Sequence, residues 1–409
     1  MPLFQRPWHV AFTSLALLGA LQGTILLVDR IGDRSRATRK TLSTVAVDNP
    51  VDSEDHRASS QHSSSYYRPP EHPSPYPNEF EGVWARPFLP WPTLNRTLPC
   101  PEPNEDWHDH HVQLTPSDEG IFFQKPYKTG SSTASGVNIR IARNVAQRRN
   151  QSSICKARFH HAKASRLYPT RSKQNSFAWS ILRDPTSRLV SQFFHFEVSR
   201  AKKEPSDANF RKMALGDNEY VKNHYLEYLG REEHMSPSAD ALNGILEDYD
   251  FLGVTERMDE SVVALSMVAG VPLADVLFLK AKGHGGYDDG GGRGEKICTY
   301  IWPSFVSDGM REFFVTDEFQ DVVHWDWVLY QAVNRSLDMT IEMLGPEFDA
   351  KLELYRKAQA LAHERCLPAT TFPCSEGGVY NWNTDCMWND SACGMDCLDE
   401  VATELGLWE

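Results

Sequence analysis

EGIFFQKPYKTGSSTASGVNIRIARNVAQRR, residues 119–149, changes pattern twice. Ile121, Phe122 and Phe123 form a short apolar run that predicts a strand. A polar loop follows with Lys128, Gly130 and the hydroxyls of Thr129, Ser131, Ser132 and Thr133. Val137, Ile141 and Val145 then recur every four residues, which predicts a helix with one face packed on a sheet. Strand, small-residue loop and helix together make an anion cradle. The first turn of a helix has backbone N–H groups without intrahelical partners, and the helix dipole adds partial positive charge there. Gly130 lets the backbone approach an anion, the hydroxyls can donate further hydrogen bonds, and Lys128 supplies a full charge.

The nucleotide-triphosphatase motif does not fit, because it places Lys and Ser or Thr after the second glycine, whereas in KTGSST the lysine comes first. Taken alone, KTGSST also fits an ordinary polar turn. A second stretch adds weight to the cradle. Residues 177–196 read FAWSILRDPTSRLVSQFFHF: a buried parallel strand over 177–182, Arg183 at its C-terminal end, Asp184 as an N-cap and Pro185 at the first helical position. Helical spacing allows Arg188 and Ser191 to face the side from which Arg183 emerges. A plain Arg183–Asp184 pair across the turn is the simpler account of the same residues.

Together the two junctions resemble the sulfotransferase family, specifically the membrane-bound carbohydrate sulfotransferases of the galactose 3-O- and heparan sulfate 2-O-sulfating kind. The resemblance covers about residues 120–365. It includes YDFLGVTERMDES at 249–261, a strand leading into a helix that opens with Thr255 and Glu256, and a late helix over 325–344. It implies an α/β fold, a P-loop-like three-layer α/β/α sandwich around a central parallel sheet. It also implies that Lys128, Thr129, Gly130, Ser131, Ser132 and Thr133 hold the 5′-phosphosulfate of 3′-phosphoadenosine-5′-phosphosulfate. Arg183 and Ser191 would hold its 3′-phosphate.

Between the junctions lies CKARFHHAKASRLYP, where His160 and His161 follow Phe159 at the expected end of a strand. Moving a sulfuryl group to a sugar hydroxyl needs a base for the hydroxyl proton, and imidazole titrates near working pH. An isolated histidine pair is usually structural. The family, however, carries a histidine at this place in the order, and the resemblance assigns the base to His160, with His161 the alternative. Lys128 would stabilise charge on the bridging oxygen of the departing bisphosphate. No motif calls for a metal or a redox cofactor.

Charge is distributed unevenly. The chain has 42 Lys and Arg against 55 Asp and Glu, a net −13. From Gly120 to Arg183 there are 13 basic residues and no acidic one, leaving 29 basic against all 55 acidic residues elsewhere. A basic segment in an acidic chain suits a polyanionic donor, although Arg140, Arg143, Arg148 and Arg149 also fit a solvated helix face. Nucleic acid is a poor partner, since no nucleic-acid motif accompanies the charge. Overall acidity argues against a heavily sulfated acceptor.

Outward from this core, residues 1–7 form a short tail and 8–28 an apolar run. At about 1.5 Å per residue that run can cross a bilayer core of about 30 Å. It reads as a transmembrane signal anchor, with a cleaved signal peptide as the alternative. The basic flank after it, Arg30 to Lys40, would favour a cytosolic C-terminal side. The resemblance and the cysteines favour a Golgi membrane protein with a lumenal catalytic domain instead. Residues 29–115, rich in Pro, Ser, His and Asn, read as a stem that cannot offset its chain entropy by burial. WHDHHV, with His108, His110 and His111, lacks the cysteines or second cluster of a metal site. The catalytic domain spans 116–365 and a disulfide-rich extension 366–409.

Within the catalytic domain, Phe193, Phe194 and Phe196 suit a core helix, 200–248 a charged helical region touching the acceptor, 276–279 a short strand and 308–362 helices. KGHGGYDDGGGRGEK is a glycine-rich loop, not a nucleotide fingerprint. Five of eight cysteines, Cys366, Cys374, Cys386, Cys393 and Cys397, crowd the tail, which predicts disulfides over zinc. One of the five must then pair with Cys100, Cys155 or Cys298. Glycosylation motifs stand at Asn95, Asn150, Asn334 and Asn389. The expected function is a glycan sulfotransferase. The alternative is a glycan-binding protein of the same fold without catalysis, and an ATP-using kinase is disfavoured by the missing motifs.

Overall fold

In the computed structural model, which describes residues 78–102, 118–216, 220–280, 286–289 and 297–409, the two apolar runs lie side by side in parallel. The membrane anchor, most of the stem and WHDHHV fall outside the described residues. Among the described residues no helix is long and apolar enough to cross a membrane.

The described residues begin with the antiparallel pair β1 (Glu79–Phe80) and β2 (Val83–Trp84). It continues through β3 (Gly120–Gln124), α1 (Ser131–Arg148), β4 (Ala157–Arg158), α2 (Ala164–Leu167), β5 (Ser176–Leu182) and α3 (Pro185–Gln192). From α3 the chain passes directly into a π-helical stretch, Phe193–Arg200, then α4 (Asp207–Ala214), α5 (His224–Leu229) and α6 (Ala239–Asp248). Next come β6 (Phe251–Val254), α7 (Met258–Ala269) and the antiparallel strands β7 (Gly286–Asp289) and β8 (Cys298–Ile301). The last third holds α8 (Asp308–Phe314), α9 (Asp317–Leu344), α10 (Pro346–Ala369), the pair β9 (Cys386–Trp388) and β10 (Ser391–Cys393), and α11 (Met395–Glu404).

The central sheet runs β4-β3-β5-β6 and is parallel throughout, with Ile121 opposite Ala157 and Phe177, and Leu182 opposite Val254. Every residue of β3, β5 and β6 is buried, as parallel strands covered on both faces require. From β3 the chain crosses to one side of the sheet, and from β5 it crosses to the other. The crevice beyond the C-terminal ends of these two strands is therefore a topological switch point, where parallel sheets bind ligands. Both predicted loops open onto it.

Two buried side chains fasten α1 to the sheet. Asn138 donates from Nδ2 to the Arg158 carbonyl at 3.2 Å and accepts from Trp179 Nε1 at 2.8 Å. Close approach also matters at Gly136, where a Cβ would stand 2.7 Å from the Ala392 nitrogen, so the β9–β10 pair lies against α1.

The expected strand at 276–279 is absent. Leu273–Val276 forms a 3₁₀ turn, and the backbone beyond it takes its hydrogen bonds from α10 side chains. Gln359 Nε2 donates to the Phe278 carbonyl at 2.6 Å, and Tyr355 Oη donates to the Val276 carbonyl at 3.3 Å. The helix arginines divide: Arg148 and Arg149 are exposed, as a solvated face would have them, whereas Arg140 and Arg143 are held by partners from elsewhere in the chain. Arg140 is buried, donating from Nη2 to Asp399 at 2.6 Å and from Nε to the Ala274 carbonyl at 2.7 Å. Arg143 meets Asp399 at 2.8 Å, Arg148 meets Asp275, and Arg149 donates to the Leu98 carbonyl at 2.7 Å. Arg140 and Arg143 thus fasten α1 to Asp399 of α11 and Arg148 fastens its end to Asp275, acidic partners far away in sequence.

All eight cysteines pair: Cys100–Cys155, Cys298–Cys374, Cys366–Cys397 and Cys386–Cys393. The odd tail cysteine is Cys374, and its partner is Cys298, one of the three expected. The tail is not an appendage. Met395, Leu398 and Val401 join the main core with Ile141 and Val145 of α1.

Candidate functional site

The β3–α1 loop is held in an unusual backbone shape. Lys128 has φ +64° and Gly130 φ +71°, both left-handed. For lysine this conformation costs about 1 to 3 kcal/mol, so the surroundings must impose it. At Gly130 a side chain would also meet Thr255 and Met258 at 3.3 Å. Thr255 closes the loop from β6: its hydroxyl lies 2.7 Å from the Thr129 carbonyl and 2.9 Å from the Leu182 carbonyl.

The second junction meets the first here. Arg183 donates from Nη1 to the Lys128 carbonyl at 3.3 Å. Its own backbone N–H donates to Tyr225 Oη of α5 at 2.9 Å. Glu256 accepts the Asp184 N–H at 3.1 Å and the Tyr330 hydroxyl at 3.1 Å, and lies 3.9 Å from Arg183 Nε. Burial, and then the charge on Asp184, raises the Glu256 carboxyl above its ordinary range. Asp184 caps α3 through the Ser187 N–H at 2.7 Å, as expected.

The hydroxyls divide by position. Thr129 is buried with its hydroxyl turned to the Pro126 carbonyl at 3.2 Å, and Ser131 is also buried. Ser132 and Thr133 are half-buried and line a cleft with Gly136, Phe278 and Ala392. Ser191 is half-buried on α3. Arg188 does not face the crevice. It is wholly buried and donates to Gln192 at 2.8 Å and to the Tyr220 and Val221 carbonyls at 3.1 Å, beside Asp326. Two aligned positions on one helix face look alike in sequence, yet the segment before α5 and Asp326 of α9 claim the arginine.

The two histidines sit in different settings. They follow β4 in a tight turn in which the Ala162 N–H donates to the His160 carbonyl at 3.0 Å. Gln124, at the end of β3, donates to the Ala162 carbonyl and so ties the turn to the sheet. His160 packs on Phe159 and meets Trp388 of β9 edge to face, centroids 5.2 Å apart. His161 lies against the loop instead. Its Nδ1 is 2.9 Å from the Lys125 carbonyl and its ring stacks on Tyr127 at 4.2 Å.

The surroundings hold His161 well below the ordinary histidine pKa. Desolvation by the dense surrounding chain comes first and the charge on Lys125 second; the Lys125 carbonyl acts upward, and the charges on Lys128 and His160 add smaller downward effects. Because the residue keeps an exposed surface, the lysine charges are the firmer part of that cause. A neutral imidazole beside two lysines can accept a proton, and the lysines can hold an anion. Tyr127 and Trp388 escape a reading of the sequence by motif. The one sign of Tyr127 is an aromatic residue immediately before the loop lysine.

No curated protein matches the chain. Residues 114–274, which carry both junctions, the histidine pair and the β6–α7 turn, match the model of the sulfotransferase family. That match lies over the crevice onto which both loops open, so over residues 114–274 the chain carries a domain similar to the sulfotransferase family.

Proposed function

We propose that the protein transfers the sulfuryl group of 3′-phosphoadenosine-5′-phosphosulfate to a hydroxyl of a glycan, of the galactose or uronic acid class. The observation that carries this reading is the 3.3 Å contact of Arg183 with the Lys128 carbonyl, which brings two anion-binding turns into one crevice. A donor with anionic groups at both ends needs two such turns. The residues fit it: Gly130 caps the N-terminus of α1, whose first turn offers a cradle, and the half-buried Ser132 and Thr133 stand in that turn. Arg183 and Ser191 are assigned to the 3′-phosphate. The three-layer sandwich implied by the family agrees with a four-stranded parallel sheet bearing helices.

The donor supplies an activated sulfur: as the acceptor oxygen bonds to it, the bond to the 5′-phosphate oxygen breaks and that oxygen keeps the electron pair. Lys128 stabilises this developing charge, helped by the helix N–H groups. His161 removes the acceptor proton. Its Nδ1 faces a carbonyl, which can only accept, so Nδ1 carries hydrogen and Nε2 is the basic nitrogen. This choice reverses the preference for His160, whose ring is packed against Phe159 and Trp388. His160 then supports the turn.

The same reading places the enzyme at the Golgi membrane with its domain in the lumen, anchored by residues 8–28. Four disulfides support an oxidising compartment. The test is incubation of the protein with donor labelled in its sulfate and a panel of galactose- and uronate-bearing glycans. Label appearing in a glycan supports the reading; donor and glycan binding without transfer would favour a non-catalytic binding protein.

A further inference from the structure

The loop that carries Lys128 also touches the proposed base twice. The Lys125 carbonyl holds Nδ1 of His161 at 2.9 Å. The Tyr127 ring lies parallel to the imidazole, with centroids 4.2 Å apart and planes 3° from parallel. Tyr127 is in turn held edge-on by three rings from other elements: Phe196 of the π-helical stretch at 5.7 Å, Tyr220 at 5.6 Å and Tyr228 of α5 at 5.5 Å. One contact sets the tautomer and the other sets the plane of the ring.

We propose that Tyr127 is a positioning residue for His161: the donor-binding loop itself aims the base, through the Tyr127 ring and the Lys125 carbonyl. The inference rests on the reading of His161 as base. It follows from geometry that a flat ring held on one face and at one nitrogen has little rotational freedom left, so Nε2 stays in one direction. A π-helical stretch is a rare device that recurs at functional sites, and here Phe196 on that stretch braces Tyr127. The titratable groups acting on the imidazole are Lys125 and Lys128 from the loop and His160 beside it. Tyr127 is the uncharged contact among them.

The test compares Tyr127→Phe and Tyr127→Leu in the full chain, with folding checked by circular dichroism. Turnover is followed by donor and acceptor kinetics, and His161 titration by NMR of histidine-labelled protein. Tyr127→Phe keeps the ring and is expected to retain kcat within about threefold. Tyr127→Leu is expected to lower kcat by about 10- to 100-fold with donor KM nearly unchanged, since misaiming a reacting group costs about that much. In the same variant the His161 titration is expected to rise toward the ordinary value of about 6.5. If Tyr127→Leu leaves kcat and the titration untouched, or raises donor KM while the titration stays put, the inference is overturned. Failure of the underlying reading shows differently, as turnover that survives His161→Ala.

Discussion

Arg183 donates from its guanidinium to the backbone carbonyl of Lys128 across 55 positions of sequence. Lys128 is at the same time held in a left-handed conformation. One arginine therefore serves both junctions: it shapes the first loop and presents charge at the second. Arg183→Ala should raise donor KM by at least about tenfold and also lower kcat, because loss of a charge-assisted contact and of loop shape act together. Steady-state kinetics with varied donor measure both. A change in KM alone would confine Arg183 to binding.

The histidine pair gives a contrast within one turn. His161→Ala should reduce kcat by about 10²- to 10⁴-fold, the usual contribution of a general base. His160→Ala should cost less and should lower thermal stability, since its ring fills space between Phe159 and Trp388. Comparing kcat and Tm of the two variants decides between them.

The pH profile follows from the environment of His161. Its folded pKa lies well below the ordinary histidine value of about 6.5, so the proposed base is neutral at pH 6.5 and protonates only in stronger acid. The acid limb of kcat/KM should fall below pH 6.5. For stability the sign is the same: between the folded and unfolded pKa values the unfolded chain binds more protons, so this group's contribution declines as pH falls through that window. A limb centred above 6.5 would assign the titration to another group.

Asp326 accepts the N–H groups of His224 at 3.1 Å and Tyr225 at 2.9 Å, and lies 3.8 Å from buried Arg188. Burial raises its carboxyl to about 6 despite the arginine. Asp326→Asn should destabilise the fold by about 3 to 5 kcal/mol, since it leaves Arg188 without its charge partner. Tyr225, which holds the Arg183 backbone, would shift with it. Urea unfolding and donor KM measured together report both effects.

The Cys386–Cys393 bond closes a short loop that carries Trp388 onto His160. Cys386→Ser with Cys393→Ser should lower stability by about 2 kcal/mol, the lower end for a short closed loop, and reduce turnover in parallel. Thermal melts and initial rates check it.

Much of the site could be read from the sequence because it obeys local rules. The apolar run at 121–123, the proline after Asp184 and the period of Val137, Ile141 and Val145 each depend on neighbours within a few residues. What stayed hidden depends on contacts far along the chain. Arg188 and the arginines of α1 looked available for an anion, but Asp326, Asp275 and Asp399 had already claimed them across more than a hundred positions. The run at 276–279 had strand composition, and only the side chains of Gln359 and Tyr355 explain why it pairs with no strand. The proposal of His161 over His160 likewise rests on a carbonyl and a tyrosine ring, neither marked by a motif.

The most direct test of the central claim is calorimetric titration of the protein with adenosine 3′,5′-bisphosphate, alongside its Lys128→Ala and Arg183→Ala variants. The account predicts saturable binding at one site per chain, weakened at least about tenfold by either substitution, since each removes a charged contact worth at least about 1.4 kcal/mol. Absence of binding to the unsubstituted protein, or affinity indifferent to both substitutions, would contradict it.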